Sequence, residues 1–188
     1  MFDTDTDGVS TATGWISADD GLLVRDINKN GIIDNGSEFF GDSTQLLNGS
    51  KATDGFSALT DLDDNHDGKV DANDAAFSEL KVWRDLNQDG VSSSNELFSL
   101  SDVNIASLNV ENKNEFISLI GSNYINKTGT YTKSDGTTAV MADVNFVTNN
   151  LITEYKDKIA VSEEIAGLPN LTGYGRLRSL QEAATISP

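Results

Sequence analysis

Four short acidic loops constrain this chain more than anything else in it. Asp3-x-Asp5-x-Asp7-Gly8, Asp26-x-Asn28-x-Asn30-Gly31, Asp63-x-Asn65-x-Asp67-Gly68 and Asp85-x-Asn87-x-Asp89-Gly90 each set oxygen-bearing side chains at alternate positions and then a glycine. Such a run does not suit a helix or strand interior. Asp and Asn compete for nearby backbone N–H groups, and Gly supplies the positive φ of a tight turn. The loop starts form two pairs, 3 with 26 and 63 with 85, spaced 23 and 22 residues apart. The repeat runs beyond the loops. Val24 to Gly31 parallels Trp83 to Gly90, and Glu38-Phe39-Phe40 matches Glu96-Leu97-Phe98 after one extra residue in the first copy.

These loops have the chemistry of calcium sites. Ca²⁺ takes about six to eight oxygens, and a 12-residue loop supplies them from positions 1, 3 and 5, a backbone carbonyl at 7, and an acid at 12. The third loop fills every slot, with Asp63, Asn65, Asp67, the Lys69 carbonyl and Asp74, and with Asp71 at position 9. The fourth offers Asp85, Asn87, Asp89, the Val91 carbonyl and Glu96, but Ser92 stands where an aliphatic anchor is usual. The second offers Asp26, Asn28, Asn30, the Ile32 carbonyl and Asp34, and its acid, Glu38, falls one position late. A one-residue bulge would restore that geometry. The first offers Asp3, Asp5 and Asp7, with Gly14 at position 12. The expectation is about four Ca²⁺ sites, the third and fourth the tightest.

Charge points the same way. Residues 1–100 carry 20 Asp/Glu against 6 Lys/Arg, whereas residues 101–188 carry 10 against 7. So concentrated a negative field excludes nucleic acid and anionic membrane surfaces as partners and makes cations the natural ones. There is no cysteine, so no disulfide framework, and metal is the usual substitute staple in a small exported domain. No apolar run reaches the length of a membrane span, and Met1-Phe2-Asp3 is no signal peptide. The chain is read as secreted, through an export signal outside this segment.

The coarse reading is α+β. Residues 1–100 form a calcium-binding region of EF-hand-like loops with short helices, and residues 101–188 a β-hairpin plus helical region, the two co-folding as one module. Phe56, Leu59 and Leu62 after Thr53-Asp54 suggest a helix, as do Ala76, Phe77, Leu80 and Trp83 opening near Asn73. Ile105 to Val110, Tyr124 to Lys133 and Thr138 to Val147 read as strands, the last two flanking a hairpin turn at Ser134-Asp135-Gly136-Thr137. Residues 150–166 read as a helix, and Leu171, Tyr174, Leu177 and Leu180 as a second one after Gly167-Leu168-Pro169-Asn170.

No catalytic residue emerges. His66, the only histidine, occupies position 4 of the third loop, which normally faces water. Without a serine motif or any cysteine, a Ser/His/Asp or Cys/His hydrolase is unsupported. Trp15 and Trp83 are read as core anchors, and Asp19-Asp20 as a solvated turn before Gly21.

Longer runs carry a resemblance. Thr11 to Asp26 (TATGWISADDGLLVRD), Val82 to Gly90, Tyr131 to Thr138 and Gly175-Arg176-Leu177-Arg178 resemble the self-processing module of repeat-in-toxin (RTX) proteins of the Frp type, over nearly the whole chain. The resemblance implies that calcium folds the module and that an Asp-Pro bond at its N-terminal edge then breaks. The Asp side-chain carboxyl attacks its own main-chain carbonyl and expels the proline nitrogen, leaving a cyclic anhydride. Water opens this to a carboxylate, or a lysine amine of a neighbouring protein opens it to an isopeptide. Proximity of the reacting groups supplies much of the rate.

The sequence departs from that pattern at one place. Its prolines are Pro169, after Leu168, and Pro188, after Ser187, so it holds no Asp-Pro bond. It reads as a chain beginning inside the module, expected to bind calcium without cleaving itself. The Gly-Gly-x-Gly-x-Asp nonapeptide of RTX β-rolls is absent too. The alternatives are a calcium-stiffened spacer of a secreted adhesin or toxin and a dockerin-like recognition module. The latter ranks last because its loops repeat at wider spacing and lack a β-rich second half.

Overall fold

The repeated segments that lead into the second and fourth loops become strands that pair with each other. In the computed structural model, which describes residues 1–187, β2 (Leu22–Arg25) runs antiparallel to β4 (Leu80–Trp83), with Leu22 opposite Trp83 and Arg25 opposite Leu80. β5 (Leu97–Ser99) joins the other side of β4, with Leu97 opposite Trp83. Val24 and Trp83 are fully buried, and both precede a loop-opening Asp by two residues.

Two further sheets cross from one half of the sequence to the other. β1 (Val9–Thr13) pairs antiparallel with β9 (Thr148–Tyr155). A four-stranded sheet has the order β3 (Lys69–Val70), β6 (Ile105–Ser118), β7 (Tyr124–Lys133), β8 (Thr138–Asn145), every neighbouring pair antiparallel. The turn between β7 and β8 closes where Lys133 donates its backbone N–H to Thr137 O at 2.7 Å, with Gly136 at φ 83°.

α1 (Gly55–Thr60) has a complete capping box. Asp54 accepts the Ser57 N–H at 2.9 Å, and the Ser57 hydroxyl returns to the Asp54 N–H at 3.1 Å. It buries Phe56, Ala58 and Leu59 and delivers Leu62 and Asp63 to the third loop. The remaining helices, α2 (Glu163–Ala166) and α3 (Leu180–Ile186), lie near the C-terminus.

Apolar side chains gather in two clusters. One holds Leu59, Leu62, Val70, Leu80, Leu100 and Leu108 and lies under the third loop. The other holds Phe2, Val24, Ile33 and Trp83, with Trp15, Leu22, Phe39 and Leu97 against it. Phe2 stacks on Phe39 with centroids 4.6 Å apart, and Trp15 meets Trp83 edge-on at 5.4 Å.

This architecture overturns the α+β expectation of EF-hand-like loops framed by helices. Antiparallel sheet dominates, and the helices described are three short ones. The stretch from Ala76 to Trp83 is a single 3-10 turn, Phe77–Glu79, followed by β4. Its apolar residues find partners on β2 and β5 instead of along one helix face. Of residues 150–166, expected as one helix, the first six belong to β9 and only Glu163–Ala166 is helical. Asn149, Asn150, Ile152 and Thr153 are weak helix formers, and β1 offers them a ladder. Residues around Leu171 and Tyr174 are irregular, and helix resumes only at Leu180 behind a Ser179–Glu182 capping box.

Trp83→Ala should lower unfolding stability by about 3–5 kcal/mol, as expected for truncating a fully buried aromatic. Ile120→Ala, at a position 97% exposed, should stay within roughly 0.5 kcal/mol. Urea denaturation of both variants under one calcium concentration checks the contrast.

Candidate metal-binding loops

All four loops share one hydrogen-bonded frame. The position-1 carboxylate accepts two backbone N–H groups, from positions 5 and 6. Asp3 takes Asp7 and Gly8, both at 3.1 Å, and Asp26 takes Asn30 at 3.1 Å and Gly31 at 2.9 Å. Asp63 takes Asp67 at 3.2 Å and Gly68 at 3.0 Å, and Asp85 takes Asp89 at 3.1 Å and Gly90 at 2.8 Å. The position-5 side chains of Asp7, Asn30, Asp67 and Asp89 each accept from the N–H two residues on, at 2.8–3.2 Å.

The backbone bends the same way each time. Thr6, Lys29, His66 and Gln88, at position 4, have φ of 57–63°, and the four glycines at position 6 have φ of 72–89°. Only glycine adopts the latter without strain, which explains Gly8, Gly31, Gly68 and Gly90. His66 is thereby a turn residue on an exposed loop.

Closing acids complete three of the frames. Asp74 accepts Asp64 N–H at 2.9 Å and Asp71 N–H at 2.8 Å; Glu96 accepts Leu86 and Ser93 N–H, both at 3.0 Å. Glu38, one residue late in sequence, reaches the equivalent position-9 N–H of Asp34 at 2.9 Å. The 3-10 turn Gly36–Glu38 absorbs the extra residue. The first loop has no closing acid. Asp3, Asp5 and Asp7 place carboxylate oxygens within 4.8 Å of one another, and cations of the C-terminal segment face them. Lys156 Nζ lies 3.5 Å from Asp3 and 3.8 Å from Asp34, while Arg176 pairs with Asp7 and stands 3.7 Å from Asp5.

The second and fourth loops meet at position 8. The Ser92 hydroxyl accepts the Ile33 N–H at 2.6 Å and lies 3.3 Å from Ile33 O. Ser92 therefore supplies a polar bridge at the position where the sequence offered no aliphatic anchor. The first and second loops touch through their backbones, Gly36 N–H donating to Asp3 O at 2.7 Å. A Cβ on Gly36 would sit 1.9 Å from Thr4 O, so this approach requires glycine. The third loop is tied instead to the four-stranded sheet, where Val70 pairs with Leu108.

The donor set suits a hard cation. Asp63, Asp74, Asp85, Glu96 and Glu38 are each at most 4% exposed, and among the described residues none of these carboxylates forms an ion pair with Lys or Arg. Glu38 Oε1 is buried with no hydrogen-bond partner, an arrangement that costs free energy unless a cation compensates it. Burial pushes the Glu38 carboxyl above its ordinary value, and the Asp34 charge adds to the shift. Asp71, by contrast, is held below its ordinary value by Lys69, whose ammonium donates to it at 2.5 Å. Sequence reasoning missed Trp15 Nε1, which donates to Asp85 at 2.6 Å, and the Lys156 and Arg176 contacts. Nothing local signals partners 70 or more residues away.

Comparison with known proteins relates the chain to a domain family and to a longer iron-regulated protein. Residues 1–147 match the SPM domain family. The iron-regulated protein FrpA of Neisseria meningitidis serogroup C is 52% identical over 187 residues, covering 100% of this chain and 17% of that protein. The chain thus spans a small fraction of this relative's length.

Glu38→Gln keeps the side-chain volume and removes an uncompensated buried charge. In chelator the variant should be more stable than the parent by about 1–2 kcal/mol, yet gain less on adding calcium. Paired thermal melts with and without calcium measure both effects.

Proposed function

The chain belongs to the SPM domain family, and from that premise we propose that it is the calcium-dependent folding module of a secreted RTX protein. In the full-length protein it promotes autocatalytic Asp-Pro cleavage and Asp-Lys isopeptide cross-linking. The observation that carries the calcium reading is the fourfold frame of Asp-x-Asx-x-Asx-Gly loops, three of which add a closing carboxylate (Glu38, Asp74 or Glu96) that is buried and, among the described residues, forms no ion pair with Lys or Arg. The cross-linking reading rests on the similarity to FrpA and on the runs from Thr11 to Asp26 and from Val82 to Gly90.

The residues that hold the cation are Asp63, Asn65, Asp67, Lys69 O and Asp74 in the third loop, with Asp71 engaged by Lys69. In the fourth they are Asp85, Asn87, Asp89, Val91 O and Glu96, and in the second Asp26, Asn28, Asn30, Ile32 O, Asp34 and Glu38. Asp3, Asp5 and Asp7 form the weakest set, already partly neutralised by Lys156 and Arg176. Bound there, Ca²⁺ supplies positive charge with no Lewis-acid step. The chain's own residues do the rest. Position-1 carboxylates close the turns, closing acids fasten the loop ends, and β2, β4 and β5 carry the resulting order into the aromatic cluster.

The 188 residues contain no Asp-Pro peptide, so the bond processed lies outside them. At that bond the Asp side-chain oxygen attacks the adjoining carbonyl carbon, the C–N bond to proline breaks, and the proline nitrogen takes up a proton. Water or a lysine amine then opens the anhydride, leaving one carboxylate and either an acid or an amide.

Two measurements test the proposal. Circular dichroism and tryptophan fluorescence should report folding as calcium rises through roughly 10⁻⁴–10⁻³ M, the range of extracellular modules. Identical native spectra in chelator and in calcium would sink the calcium reading. Asp63→Ala and Asp85→Ala should raise that midpoint more than Asp3→Ala. A longer chain with an Asp-Pro bond ahead of Met1 should split on calcium addition and yield a lysine adduct lighter by one water. A chain that stays intact under saturating calcium would support the spacer reading instead.

A further inference from the structure

Asp85 differs from the other three loop-opening carboxylates. Its Oδ2 accepts the Gly90 N–H at 2.8 Å and also the Trp15 indole N–H at 2.6 Å. Both lone-pair directions of that oxygen are therefore used, whereas Oδ1 accepts only the Asp89 N–H at 3.1 Å. Asp3, Asp26 and Asp63 accept their equivalent backbone pairs and no indole. Asp85 is fully buried, and among the described residues no Lys or Arg forms an ion pair with it.

We propose that Trp15 is a positioning residue for the fourth loop, clamping Asp85 so that Oδ1 is the oxygen left open to a hard cation. This rests on the calcium reading of the loops. A donor that fixes the orientation of a ligand side chain contributes to metal affinity without touching the metal. Here the donor is itself held from the other half of the chain. Trp15 follows Gly14, whose N–H donates to Val147 O at 2.9 Å, and its ring lies 6.2 Å from that of Phe146. Val147 N–H in turn donates to the Asn123 side chain at 3.0 Å. Asp85 orientation thus depends on the chain at the start of β7 and the end of β8 being in place. Loading of the fourth loop and assembly of the C-terminal sheet become one event.

Calcium titration calorimetry of the intact chain tests this with Trp15→Phe, which keeps an aromatic ring in the cluster and removes only the N–H. Affinity at the fourth loop should fall by roughly tenfold, the lower end for a lost outer-shell partner. The effect should be absent when combined with Asp85→Asn and persist when combined with Asp63→Asn. A second readout uses unmodified protein. The Trp15 indole N–H resonance, distinguished from that of Trp83 by Trp83→Phe, should move on calcium addition. If Trp15→Phe does not fold, that resonance decides. Unchanged affinity in Trp15→Phe, or a Trp15 resonance indifferent to calcium in a chain that binds it, overturns this inference alone. A chain that takes up no calcium overturns the loop reading and this inference together.

Discussion

Each of the four turns is closed by one carboxylate accepting two backbone N–H groups, and the rest of the structure hangs on those closures. Without them the Asp/Asn/Gly runs would be floppy and mutually repulsive. With them, each loop has a fixed start and a fixed exit. The residue next to the closure is then delivered to an apolar cluster. Phe2 adjoins Asp3, Leu62 adjoins Asp63, and Trp83 and Val24 lie two residues ahead of Asp85 and Asp26. Turn chemistry and core packing are therefore one system, joined through a few peptide units.

That coupling explains why the acidic half and the β-rich half depend on each other. The aliphatic cluster draws on both halves of the sequence, while the aromatic one, made of residues between 2 and 97, has a neighbour from the second. Leu100 and Leu108 complete the cluster under the third loop, and Phe146 stands against Trp15 beside the aromatic one. The ladders β1–β9 and β3–β6 make the same connection with backbone hydrogen bonds. Charge repeats the arrangement, because the cations that meet N-terminal acids come largely from beyond residue 100. Lys127 sits 2.9 Å from Asp54, and Lys156 and Arg176 face the first loop.

Such a design suits a module whose order is conditional on a cation. Among the described residues the closing acids Glu38, Asp74 and Glu96 form no ion pair with Lys or Arg, whereas two cations face the first loop. The loops are thus unequal by construction. The second and fourth share the Ile33–Ser92 bridge and border the aromatic cluster. The third answers to the aliphatic cluster and the large sheet.

The sequence by itself determined the loops. Their periodic Asp/Asn and repeated Gly dictate local turns, since each hydrogen bond to a position-1 carboxylate from its own turn spans five residues or fewer. It also determined α1, through the Asp54–Ser57 box, and the turn between β7 and β8, both local again. Only the tertiary structure decided what flanks the loops. Leu80 to Trp83 and residues 148–155 carry apolar spacings compatible with either period, and the choice of strand came from ladders with β2 and β1, 55 or more positions away in sequence. The same holds for Glu38, whose late position is absorbed by a 3-10 turn, and for Ser92, whose hydroxyl does the work of an aliphatic anchor. The Trp15–Asp85 bond is the extreme case. A hydrogen bond between side chains 70 residues apart leaves no periodicity to read, because it exists only after both halves have packed.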